Sequence, residues 1–196
     1  MELLPLRRAI LSVTNKSGLV RFAEVLSNKW KVSLVSTGGT MKMLTDAGLP
    51  ATAVSALTGC PEMLEGRVKT LHPHVHAGIL ADKDKPEHLG ALTEQGIEAF
   101  DLVCVNLYDF AGAVERRLSL EEALEAIDIG GPCMLRAAAK NFRSVLVTPG
   151  PEWYDAILEE MDARNGCVGL DLRRRLASRA FSETSRYDAL ISSYLR

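Results

Sequence analysis

Cysteine is scarce and scattered: Cys60, Cys104, Cys133 and Cys167 form no C-x-x-C pair in 196 residues, which speaks against a zinc ribbon or a disulfide framework and reads them as reduced thiols. Charge of one sign is missing too. With 23 basic and 25 acidic side chains the net charge is -2, so no global field draws a nucleic-acid backbone, and any anion site must be local. No apolar run approaches the roughly 20 residues that a membrane span needs. The stretch from Met1 to Arg8 lacks the charged start, long apolar centre and small-residue cleavage site of a signal peptide. Internal repeats, low-complexity tracts and polar linkers are absent as well. The expectation is one cytoplasmic domain over 1–196, with 170–196 as a helical extension and with neither nucleic-acid nor membrane partners.

What is present is an alternation of short apolar runs with helical patterns. Ala9–Val13, Val32–Val35, Ala51–Val54, Leu102–Val105 and Val145–Val147 read as buried strands. Leu19, Phe22, Ala23 and Leu26 share one helical face, and Thr40–Ala47 reads as a helix stopped by Gly48 and Pro50. Ser119 and Glu122 form a capping box, while Pro132 and Pro151 stand where helices would begin. Strand–helix–strand repetition predicts an α/β fold, a mainly parallel sheet covered on both faces, with ligands at the carboxyl ends of its strands. The least regular stretch, Ser55–Pro73, reads as a functional loop. Near the C-terminus, Arg173-Arg174-Arg175 reads as a solvated helix face.

Four constellations carry chemistry. Ser36-Thr37-Gly38-Gly39-Thr40 joins a strand to a helix; its glycines admit close approach, its hydroxyls donate, and the helix start offers N–H groups to a phosphate. A plain Gly-Gly turn with a Thr cap is the other reading. It matches neither a Walker loop nor a G-x-G-x-x-G fingerprint. Ser12-Val13-Thr14-Asn15-Lys16 also follows a strand, and Lys16 could add a positive charge to the same anion. Gly66-Arg67-Val68-Lys69-Thr70-Leu71-His72-Pro73 puts Arg67 and Lys69 on one side of extended chain. The fourth group is Val105-Asn106-Leu107-Tyr108, Asp128-Ile129-Gly130-Gly131 and Ala138-Ala139-Lys140-Asn141, in which Lys140 ends an alanine-rich helix. His72, His74 and His76 invite a metal, but Pro73 interrupts them and no neighbouring carboxylate or cysteine completes a ligand set.

In this order, the motifs resemble the inosine monophosphate (IMP) cyclohydrolase family, usually the N-terminal domain of a bifunctional purine-synthesis enzyme. The match runs from about Ala9 to Thr148 and thinly to Leu195. The resemblance implies a methylglyoxal-synthase-like three-layer α/β/α fold. It also implies dehydrative closure of 5-formamidoimidazole-4-carboxamide ribotide to IMP, without metal or cofactor, in a homodimer. Carried over, Ser12, Thr14, Asn15, Lys16 and Ser36–Thr40 would hold the ribotide phosphate, and Arg67, Val68, Lys69 and Thr70 would continue the pocket. Val105, Asn106, Asp128, Ile129 and Gly130 would meet the base, while Lys140, Asp128, Lys69 and Tyr108 would serve the chemistry, Lys140 as acid/base.

Three positions depart from the family pattern: Asp109 replaces a usual proline, Asn15 a common aspartate and Cys133 a common threonine. The transformylase domain that usually follows is absent, so the sequence reads as a free-standing cyclohydrolase or a cut piece. A separate AICAR transformylase is then the functional partner. Two rivals share the fold. A non-catalytic sensor of a phosphorylated metabolite needs only the phosphate loop, and a methylglyoxal-forming lyase is disfavoured by the G-R-V-K-T and A-A-K-N motifs.

Overall fold

The computed structural model describes residues 2–196. Five short strands form one parallel sheet: β2 (Arg8–Ser12), β3 (Ser33–Ser36), β4 (Thr52–Ala53), β5 (Leu102–Val105) and β6 (Leu146–Thr148), in the order β4-β3-β2-β5-β6. Ile10 sits opposite both Val35 and Val103. All four residues of β5 are buried, the continuous apolar pattern of a strand covered on both faces. The five expected runs are these five strands, displaced by a residue or so. A sixth and seventh strand, β1 (Leu3–Pro5) and β7 (Cys167–Gly169), pair antiparallel from the two ends of the chain.

Right-handed crossovers between parallel strands decide where the helices lie. The chain moves outward from β2 through α1 (Leu19–Glu24) to β3, and through α2 (Gly38–Asp46) to β4. It then returns across the sheet through α3 (Val54–Thr58), α4 (Pro73–Leu80) and α5 (Pro86–Glu94) to β5, reversing the direction of winding. The next helices, α6 (Phe110–Glu115), α7 (Leu120–Glu125) and α8 (Gly130–Lys140), therefore lead to the opposite face. α8 lies on β5 and β6 and packs against α4 and α10 (Leu170–Tyr194), whereas α1 packs on α2 and α9 (Tyr154–Ala163). This is the three-layer α/β/α arrangement. The winding reverses between β2 and β5, and the carboxyl ends there form the crevice where such sheets bind ligands.

Two expectations change. Pro132 stands third in α8, which begins at Gly130; the first-turn N–H that proline lacks needs no partner within the helix, so the position tolerates it. Arg173 is fully buried. Its guanidinium donates to the carbonyls of Glu2 (2.8 Å), Gly169 (3.3 Å) and Arg143, tying α10 to the N-terminal strand and to the turn before β6. Only Arg174 and Arg175 keep the exposed positions expected of the triplet, because Arg173 lies beside the buried Leu172–Leu176 stripe.

Candidate active site

A cavity of about 670 Å³ opens at the carboxyl ends of β2, β3 and β5. One end is built for an anion. α2 begins at Gly38 with no side chain capping it, and the Thr40 N–H donates to the Thr37 carbonyl at 3.1 Å, so the N–H groups of Gly38 and Gly39 and the positive end of the dipole are left for a ligand. Gly38 has φ +48°, a left-handed conformation that glycine adopts without strain. A Cβ at Gly38 would sit 3.7 Å from the Lys69 ammonium, and one at Gly39 3.8 Å from that of Lys16. Two cations therefore converge on the Gly-Gly turn from different loops.

The surrounding hydrogen bonds fix that turn rather than bind. The Thr40 hydroxyl donates to the Val13 carbonyl and accepts from its N–H, both at 3.0 Å, and the Ser36 hydroxyl donates to the Leu11 carbonyl at 2.7 Å. The Thr37 and Ser12 hydroxyls lie 3.1 Å apart at the cavity wall. Asn106 accepts from the N–H groups of Thr14 (2.7 Å) and Asn15 (2.9 Å) and donates to the Asn15 carbonyl (2.9 Å). Its side chain thus clamps the loop after β2 to the end of β5.

At the other end stands Asp128. Its carboxylate accepts the Gly131 N–H at 2.8 Å, and its own N–H donates to the Tyr187 hydroxyl at 2.8 Å, which donates in turn to the Ala126 carbonyl. Burial raises the Asp128 carboxyl above the ordinary carboxylate range, against the opposing pull of the Gly131 N–H, the Lys69 charge and the Tyr108 N–H. A carboxyl poised in this way is a base candidate. Tyr108 and Thr70 complete this wall. Asp109 uses its carboxylate to cap α6, accepting the Gly112 N–H at 2.9 Å.

The structure brings most of the candidates together: Ser12, Thr14 and Lys16; Thr37, Gly39 and Thr40; Arg67, Lys69 and Thr70; Asn106 and Tyr108; Asp128, Ile129 and Gly130. Others stand behind the wall. Ser36 and Gly38 line a small adjoining cavity that also reaches Lys69 and Cys60. Asn15 accepts from Ser17 N–H, Val68 pairs with Met63 in a tight turn, and Val105 is buried in the sheet. Lys140 departs furthest: exposed and last in α8, it lies ten residues, about 15 Å, along the helix from Gly130. His72 caps α4, its Nδ1 accepting the His74 N–H at 3.1 Å.

Sequence reasoning missed the third wall. α7 contributes Glu121, Leu124 and Glu125, and the Arg67 guanidinium is paired with the Glu125 carboxylate across the mouth. The capping box that starts α7 was legible; which face it turns to the cavity was not. Tyr187, whose hydroxyl takes the Asp128 N–H, was missed as well.

A parallel sheet with an uncapped helix, a Gly-Gly turn and two lysines at its carboxyl edge defines an α/β domain whose crevice suits an anion. The sequence profile of the MGS-like domain matches residues 18–133, and the chain belongs to that family. The profile of the AICARFT/IMPCHase bienzyme matches residues 138–196. The chain is 50% identical, over 97% of its length, to the bifunctional purine biosynthesis protein PurH of Neisseria meningitidis serogroup A / serotype 4A (strain DSM 15465 / Z2491), and spans 36% of that relative. A solved structure, that of ForH, is 34% identical with a TM-score of 0.82, covering 97% of this chain and all of the other.

Proposed function

We propose that this chain is an IMP cyclohydrolase that closes 5-formamidoimidazole-4-carboxamide ribotide to IMP. The observation that carries the reading is the convergence of Lys16 and Lys69 on the Gly38–Gly39 turn, with the raised carboxyl of Asp128 in the same cavity. The ribotide phosphate takes the turn, and the imidazole reaches Asp128 and Tyr108. Asp128 accepts a carboxamide proton as that nitrogen attacks the formyl carbon. Tyr108 or Lys69 protonates the formyl oxygen as charge develops, the proton on Asp128 leaves with that hydroxyl as water, and the formamide N–H proton, released as the ring C=N bond forms, returns to the donor. Both reacting groups belong to one molecule, so the site has only to hold the folded rotamer and move protons. No step here requires Lys140.

The reading includes a cytoplasmic homodimer whose substrate is supplied by a transformylase activity. Leu120, Leu124 and Ile129 leave apolar surface beside the cavity mouth (57%, 45% and 58% exposed), in keeping with a partner subunit. No helix among the described residues is long and apolar enough to cross a membrane. Incubation with the formamido ribotide, followed by absorbance, separates enzyme from sensor. Steady IMP formation is expected, whereas tight binding without product would favour the sensor.

Gly131 makes a second test. A Cβ there would overlap an Asp128 carboxylate oxygen and lie 2.9 Å from its carboxyl carbon and 3.0 Å from Leu107. Gly131→Ala must push the carboxylate from its place, and misplacement of this kind costs about a hundredfold. Turnover is expected to fall by about that factor, with the ribotide still bound through its phosphate. Unchanged turnover would remove Asp128 from the chemistry.

A further inference from the structure

The loop that carries Lys69 carries Arg67 as well, and the two differ in their surroundings. Lys69 reaches the Gly-Gly turn, while the Arg67 guanidinium is held by Glu125 on the opposite wall. The loop is held in shape independently of that pair. Met63 and Val68 exchange backbone hydrogen bonds at 3.1 and 3.3 Å, closing a tight turn through Leu64, Glu65 and Gly66, all at positive φ. Glu125 is held from its own side by α7, whose start is fixed by the Ser119–Glu122 capping box. Both partners are solvent-exposed, with side chains 67% and 59% accessible, and both line the cavity. A second and a third carboxylate, Glu65 and Glu121, share that mouth.

Exposed ion pairs of this kind contribute little to stability. The pair does decide which charge a ligand meets. With Glu125 in place, the Arg67 cation is already neutralised and the mouth is acidic; without it, an anion would meet a bare guanidinium. Both consequences, a freed cation and one less repelling charge, act in the same direction on an anionic ligand.

We propose that Glu125 is a mask: it occupies Arg67 in the empty cavity, so that the guanidinium is given up only to a ligand able to displace the carboxylate. The proposal rests on the ribotide reading above for the identity of that ligand. Its consequence is selectivity. A small anion such as inorganic phosphate offers a single group and competes poorly with Glu125. A nucleoside monophosphate is anchored at the Gly-Gly turn as well, and its remaining atoms take over Arg67. Glu125 acts through Arg67 and is a positioning residue, not a catalytic one.

Glu125→Gln keeps the size and removes the charge. Calorimetric titration is expected to show inorganic phosphate and IMP both binding more tightly, by roughly two- to fivefold, the range an exposed pair supports. The larger gain is expected for phosphate, so selectivity narrows. Glu125→Asp should restore wild-type behaviour in part. With the formamido ribotide the change should fall on KM and leave kcat nearly constant. A second readout needs no ligand: phenylglyoxal labelling of Arg67, followed by mass spectrometry, should be faster in Glu125→Gln than in the wild type.

Weaker binding of both anions in Glu125→Gln would overturn the mask and make the pair a strap that the site requires. Equal labelling rates at Arg67 would overturn it too. If IMP binds neither protein while Arg67 labelling still accelerates, the mask stands and the ribotide reading fails.

Discussion

Asp128→Asn is expected to lower ring closure of the formamido ribotide by about two to four orders of magnitude, the usual contribution of a positioned general base. The asparagine side chain can still accept the Gly131 N–H through its carbonyl oxygen, so the turn that begins α8 stays intact. The substitution should also stabilise the fold. Burial raises the Asp128 carboxyl in the folded protein, so folding favours its protonated form. Any stability this group adds is present below the unfolded-state carboxylate value, near 3.9, and is lost as pH rises through the folded value. At neutral pH the ionised Asp128 therefore opposes folding, and the neutral amide does not. Melting is therefore expected to move upward, the direction that removing an unfavourable buried charge dictates. The pH profile supplies the matching signature. In the wild type kcat/KM should fall as pH drops through the raised carboxyl, and that acid limb should be missing in the variant. A variant that keeps most of its turnover would take the base role away from Asp128.

The second large effect is on stability and lies at the other end of the sheet. Asp101 precedes β5, and its carboxylate accepts the N–H groups of Arg7 and Arg8, both at 2.8 Å. It also pairs with the Lys83 ammonium, which donates in addition to the Phe100 carbonyl at 2.8 Å. Both charged side chains are only 12% accessible. Burial draws the Lys83 ammonium below its ordinary value, while the Asp101 charge acts to raise it again. Asp101→Ala leaves that cation and two backbone donors without their acceptor. Removing one partner of a buried pair costs about 3–5 kcal/mol, a large share of the 5–15 kcal/mol typical of a domain. Thermal unfolding is expected to fall by on the order of 10 °C. A change within about 2 °C would show that water replaces the carboxylate at no cost. The cavity is at the opposite edge, so any folded fraction should bind ligand as before.

What the sequence made legible follows from range. Continuous apolar runs such as Leu102–Val105 declare a strand buried on both faces, and the turns that follow β2 and β3 carry their own chemistry. Both could be read locally. β1 and β7 could not: each has three residues, and each is defined only by a partner more than 150 positions away. Lys140 shows how sequence distance misleads about position. Its motif stands close to Asp128 in sequence, but an intervening helix of eleven residues converts that closeness into separation. Arg173 was read with its two neighbours as solvated, although one position of helical phase turns it into the core. The acidic wall from α7 and the Tyr187 hydroxyl that holds Asp128 come from tertiary packing of elements whose local patterns looked ordinary.

The central claim is that binding and ring closure occupy one cavity, with Lys69 serving both and Asp128 needed for closure alone. Its most direct test is to titrate the formamido ribotide into wild type and Asp128→Asn and to follow IMP formation in the same samples. The wild type should bind and turn over, while the variant binds with similar affinity and forms product at least a hundred times more slowly. Ribotide binding by both proteins with product from neither would contradict the account and leave a phosphate-binding domain without catalysis.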